Sequence, residues 1–234
     1  MMSKPQDTKK RTFNLAEHYL LSCLDHGGRF LTQPHTVRVG IAGAVLTDLA
    51  RRGHIHVSQE LVTIADPTII DLEPPVHSVL HLIAESPQPQ DAEQWINRFS
   101  RPALMDALIK ILEYNGELTL KKKRLIGLIP QTRYLRDDPY SSMDSYIRMR
   151  ATLMGRSTQL EAITWPLIQL LYSTNVLTRV FPAIPNKTIR LRLRQYHNEI
   201  QKTQPDMAEA LQAVENAIAE SLTATRGQAT GLRG

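Results

Sequence analysis

The chain has 234 residues, 42% of them hydrophobic, with a net charge of +5 and a pI near 9.4. That suits one domain or two small ones with an aliphatic core, and the positive balance favours an acidic partner, either a membrane surface or nucleic acid. A single cysteine, Cys23, excludes an internal disulfide framework and multi-cysteine zinc sites and suits a reducing compartment; no apolar run approaches the roughly 20 residues needed to span a bilayer.

In chain order, residues 1–11 carry Lys4, Lys9, Lys10 and Arg11 against Asp7 and read as a disordered basic tail without the apolar core of a secretory signal. A helix pattern begins at Thr12, with Phe13, Ala16, Leu20, Cys23 and Leu24 at helical spacing, and ends at Gly27-Gly28. A second helix is predicted from about Thr36 to Arg51, its buried stripe Val37, Ile41, Ala44, Val45 and Leu49, with Gly40 and Gly43 permitting close packing. His54-Ile55-His56-Val57 and Leu61-Val62-Thr63-Ile64 alternate as paired strands. Helices are then predicted at about 75–86, 91–99 and 102–114, with a polar, proline-rich link at 87–90.

Residues 115–136, NGELTLKKKRLIGLIPQTRYLR, form the segment around which the functional reading turns. Asn-Gly suits a helix end, residues 117–120 a short strand, and Lys121, Lys122, Lys123 and Arg124 a charged turn. A second, apolar strand follows with Leu125, Ile126, Leu128 and Ile129 before Pro130. Four cations beside four large aliphatics suit an anionic membrane: the cations meet headgroups while the aliphatics dip among acyl chains. The structural alternative is a solvated turn whose second strand packs into the core. Beyond Pro139 only helices are predicted, at about 143–154, 158–173, 186–202 and 206–224, followed by a flexible tail at 225–234. The reading is a single, mainly α domain over 12–224 with small β-hairpins, one projecting and hydrophobic.

The chemistry-bearing candidates are few. His77, His81 and Glu85 share one helix face and His54 and His56 one strand face, but no HExxH pattern accompanies them, so no metal is expected and no cofactor is implied. Cys23, Asp25 and His26 lie at spacings that do not aim a base at a thiol. G-x-S-x-G, P-loop and G-x-G-x-x-G motifs are absent, so the expectation is a protein that is not an enzyme. Lys187, Arg190, Arg192, Arg194 and Lys202 read as a solvated helix face.

An internal echo joins "LARRGHIHVSQELVTIAD" to "ILEYNGELTLKKKRLIGLIP": helix, glycine turn, strand, loop, strand. It supplies the alternative reading, a winged-helix-like nucleic-acid binder in which residues 121–124 grip phosphates. Against it, a wing contacting phosphates gains nothing from exposed Leu and Ile.

"NLAEHYLLSCLDHGGRF", "GIAGAVLTDLARRGHIHV" and "LEYNGELTLKKKRLIGLIPQTRY", in that order, resemble the Golgi phosphoprotein 3 family, over roughly residues 14–222. The resemblance implies a helical core with a projecting hydrophobic hairpin. In eukaryotes it implies a cytosolic adaptor that binds phosphatidylinositol 4-phosphate on Golgi membranes and recruits glycosyltransferase tails. By position the hairpin carries over, but the headgroup pocket does not. The family's tryptophan falls at Gln33 and its three arginines at Ala42, Pro102 and Met105. This pattern is closer to bacterial members. The expected replacement is a less selective anion site built from Arg38, Arg98, Arg101, Lys121, Lys122, Lys123 and Arg124, with Leu125, Ile126, Leu128 and Ile129 inserting. Partners would be an anionic phospholipid membrane and cytosolic tails of membrane proteins; localisation would be cytoplasmic and peripheral to a membrane. The sequence does not fix the oligomeric state.

Overall fold

The structure is a computed structural model and describes residues 13–68, 72–125, 129–137, 143–156 and 161–231. The basic tail predicted at 1–11 lies outside the described residues. Helix α1 (Leu15–Ser22) opens with a capping box: the Asn14 side chain accepts from the Glu17 N–H, and the Glu17 carboxylate accepts from the Asn14 N–H. It ends at Ser22, earlier than its apolar spacing suggests, because Cys23 caps it and Leu24 instead bridges Phe30.

Helix α2 (Pro34–Arg51) is the axis of the molecule. It is buried on nearly every side from Val37 to Leu49, as an apolar helix without a polar face must be. It begins two residues before its predicted start, since Pro34 is tolerated in the first turn rather than breaking the helix. Its buried Asp48 carboxylate is held by Arg51 at 2.6 Å and Arg52 at 2.9 Å. Around it pack α1, α4 (Ala92–Phe99), α5 (Pro102–Tyr114), α7 (Thr164–Ser173) and the long α10 (Pro205–Gly231). The apolar stripe read on the last helix closes the core, with Ala210, Leu211, Val214 and Ile218 buried. α10 continues to Gly231, through most of the segment predicted as a tail.

Strands β1 (Ile55–Ser58) and β2 (Leu61–Ile64) pair as predicted, and the last residue of the proline-rich link joins the first of the helix predicted at 91–99 in an unforeseen edge strand, β3 (Gln90–Asp91). The two turn residues, Gln59 and Glu60, both have positive φ, as a type I′ turn requires. Helix α10 holds this turn: the Gln59 N–H donates to Glu209 at 2.9 Å. α3 (Pro74–Ala84), α6 (Met143–Leu153), the short α8 (Leu177–Val180) and α9 (Asn186–Thr203) complete a mainly α fold with small antiparallel sheets. Of these only α8 went unread in the sequence.

The internal echo is a structural repeat at a 63-residue offset. The N–H groups of Arg52, Gly53 and His54 donate to the carbonyls of Asp48, Ala50 and Leu49; those of Asn115, Gly116 and Glu117 donate to Ile111, Glu113 and Leu112. Gly53 and Gly116 have φ of 77° and 71°, and neither would bring an added Cβ within 4 Å of anything, so glycine is required there by backbone conformation alone. The two copies then part: the first hairpin is pinned to α10, the second is longer and leaves the body.

Candidate membrane-facing site

The second hairpin comprises β4 (Leu118–Leu125) and β5 (Ile129–Arg136), paired from Leu118↔Arg136 to Leu125↔Ile129. This corrects the predicted layout. Lys121, Lys122, Lys123 and Arg124 lie inside a strand and not in a turn, and the reversal falls within the apolar run. Lys121 and Lys122 are exposed, and as successive strand residues they face opposite sides of the ribbon. Ile126 and Leu128 lie outside the described residues; the backbones of Leu125 and Ile129 form the last ladder pair.

The base of the ribbon is fastened to the loop after α1. The Tyr134 N–H donates to the Gly28 carbonyl at 2.8 Å, Arg133 donates to Gly27 at 3.3 Å, and the Tyr134 ring packs on Phe30 with centroids 5.0 Å apart. Arg136 donates to the carbonyls of Leu21 at 2.5 Å and Leu24 at 3.0 Å, satisfying acceptors at the C-terminal end of α1. Burial, and second to it the Asp106 carboxylate, pushes the Tyr134 hydroxyl above its ordinary pKa. Asp106 lies in the first turns of α5, so this effect places Tyr134, near the base of the ribbon, beside that helix.

Of the three predicted arginines, Arg98 and Arg101 flank the α4–α5 junction in sequence and Arg38 bonds to it. Arg38 donates through Nε to the carbonyl of Ser100 at 2.9 Å, in the junction between α4 and α5. Arg98, two residues earlier, is exposed with its guanidinium 5.3 Å from the Trp95 ring centroid. Arg101, the next residue, is the N-cap of α5 and supplies no side-chain cap, so this helix terminus keeps its partial positive charge. The four family pocket positions are occupied differently. Gln33 and Pro102 are exposed, whereas Ala42 and Met105 are enclosed in the apolar core. A guanidinium at either of the last two would have to displace packed side chains.

The other candidates do not converge. Cys23 is buried and burial pushes its thiol up to about 12, so no thiolate nucleophile forms at neutral pH. His54 is buried with its ring on the Asp66 carbonyl, while His56 is exposed, so the two do not share an environment. His77 and His81 stack on α3 with ring centroids 6.3 Å apart, and His81 lies 3.4 Å from Glu85; no group of three or more metal-ligating side chains occurs among the described residues.

His18 ties α1 to α6 through Ser145, 3.0 Å away. Burial lowers its pKa to about 4 from 6.5, partly offset by Asp48. Protons therefore bind the unfolded chain first: the stabilisation is complete above pH 6.5 and is lost as pH falls toward 4, by roughly 3 kcal/mol. Thermal melts between pH 7 and 4 are expected to show this slope in the parent, and His18→Asn to flatten it. An unchanged slope in the variant would assign the acid lability elsewhere.

Among the described residues no helix is long and apolar enough to cross a membrane. The model of the family described as Golgi phosphoprotein 3 (GPP34) matches residues 15–220, most of the chain. The chain belongs to the Golgi phosphoprotein 3 family. No curated protein matches it. Within this Golgi phosphoprotein 3 family member, the matched span holds both hairpins, α2 and the junction that Arg38 joins to Ser100. The contact between Arg38 and Ser100 is 62 residues long in sequence and has no local signature; only the positional comparison of Arg38 with Ala42 pointed to it.

Proposed function

We propose that this protein is a non-enzymatic peripheral adaptor that docks reversibly on anionic membranes through the β4–β5 ribbon. It would act on the cytosolic side, on Golgi membranes if the cell is eukaryotic, and recruit the tails of membrane proteins there. The observation that carries this reading is the ribbon itself: exposed lysines on both faces of a two-stranded arm whose base is fastened to the loop after α1. Each cation near an anionic leaflet contributes about 1 kcal/mol, and each of Leu125 and Ile126 about 1.5–3 kcal/mol at full burial. With the aliphatics only partly inserted the ribbon supplies about 5–8 kcal/mol, an affinity near micromolar or weaker, which is association and not anchoring.

The headgroup site is cationic but unselective, because the two enclosed family pocket positions, Ala42 and Met105, carry apolar side chains. Vesicle sedimentation should therefore respond to surface charge. Phosphatidylinositol 4-phosphate and phosphatidylglycerol at matched charge are expected to bind equally, with binding falling steeply as salt rises. A strong preference for the phosphoinositide would overturn the unselective site, and no binding to either would overturn membrane docking. Duplex DNA in the same low-salt buffer is expected to give no gel shift.

A further inference from the structure

Helix α6 buries only Met149, Thr152 and Leu153. Its outer side carries Met143 (39% exposed), Tyr146 (37%) and Ile147 (55%), and Met154 (46%) extends the row just past its end. Large apolar side chains scattered singly need no explanation, but these are contiguous. They line a concave groove of about 360 Å³, together with Arg150, Ala151 and Arg156. Met143, Ile147, Arg150 and Met154 follow one another at spacings of four, three and four, the repeat of a helix seam built to receive another helix. Ala151 leaves room beside that seam, and the two methionines can adapt their shape to a partner.

We propose that this groove binds an amphipathic helix from another protein, with apolar residues at three- and four-residue spacing and a carboxylate opposite Arg150. Charge complementarity selects this occupant. Arg150 stands in the middle of the seam and Arg156 at its end, both exposed, whereas Arg148 is engaged by Glu161 at 3.3 Å. A second copy in parallel would set Arg150 against Arg150; in antiparallel it would set Arg150 against Ile147, where the nearest carboxylate, Asp144, is already engaged within its own chain. A bilayer favours protruding side chains over a concavity. The groove is separate from the ribbon, so the inference stands whether or not the ribbon binds lipid.

The test uses the full chain in lipid-free buffer and a labelled peptide of about 18 residues, with leucines at helical three- and four-residue spacing and glutamates on its polar face. A second peptide carries lysine in place of glutamate. Fluorescence anisotropy is expected to show binding of the glutamate peptide and at least about tenfold weaker binding of the lysine peptide. Ile147→Glu with Met154→Glu should weaken the glutamate peptide by about tenfold or more, and Arg150→Glu should shift the preference toward the lysine peptide. All three positions are exposed, so circular dichroism and melting should match the parent. Equal binding of both peptides, or glutamate-peptide binding unchanged in the double variant, overturns the proposal. So does a self-association in sedimentation velocity that the double variant abolishes, which would make the groove a contact between copies. A loss of phosphatidylglycerol-vesicle binding in that variant, with neither peptide bound, would make it a membrane contact.

Discussion

Leu125→Asp combined with Ile126→Asp is expected to weaken binding to anionic vesicles by about a hundredfold while leaving the thermal melt unchanged. Each substitution removes a share of the roughly 1.5–3 kcal/mol that a buried aliphatic contributes and places a carboxylate against a negative leaflet, which costs about 1 kcal/mol more. Even with half-buried side chains the sum passes 3 kcal/mol, or two orders of magnitude. Folding is spared because the last pair, Leu125↔Ile129, stands at the outer end of the ribbon, seven pairs from its base at Leu118↔Arg136. Lys121→Glu with Lys122→Glu is the companion: binding should fall and lose its salt dependence together. Sedimentation that survives the aspartate pair in a folded protein would remove the ribbon from the mechanism.

The second large effect is on stability. Gly40→Ala is expected to lower stability by about 3 kcal/mol, near the upper end of overpacking costs. The shift in melting temperature would be about 6–12 °C for a chain of this length. A Cβ at Gly40 would come within 2.0 Å of the Tyr19 hydroxyl oxygen and 2.1 Å of the ring carbon bearing it. Tyr19 has nowhere to go: it is fully buried, its hydroxyl donates to Thr174 at 2.9 Å, and Thr174 donates onward to Leu170 at 2.8 Å. Gly43 is the internal control. The nearest atom to its Cβ would be Ile218 Cδ1 at 2.7 Å, the end of a flexible side chain on α10, so Gly43→Ala should cost only about 1 kcal/mol. Urea melts of the two variants check the ordering, and equal losses would mean that the α1–α2 contact is looser than these distances imply.

Much of this was legible in local chemistry. The bounds of α5 follow from Pro102 in its first turn and Asn115-Gly116 at its end, and the strands β1 and β2 follow from their alternation. The cationic run misled because lysines in succession look like a solvated turn, whereas pairing to β5 draws them into a strand. The end of α10 was obscured by Gly227 and Gly231, which read as punctuation in sequence. For the site, the charge and the aliphatics were visible, but the meeting of Arg38 with Ser100 joins separate helices and exists only after packing.

The fastening of Tyr134 and Arg133 to Gly28 and Gly27 fixes how far the ribbon stands off. Beyond the Lys121↔Arg133 pair, four more pairs run out to Leu125↔Ile129, an overhang of about 13 Å at 3.3 Å per residue. The polar layer of a bilayer is only about 5–8 Å deep on each side. On the docking proposed above, an arm of that reach would cross the layer while the helices remained in water, leaving the rest of the surface to vary, or to hold other proteins, without disturbing a grip on lipid.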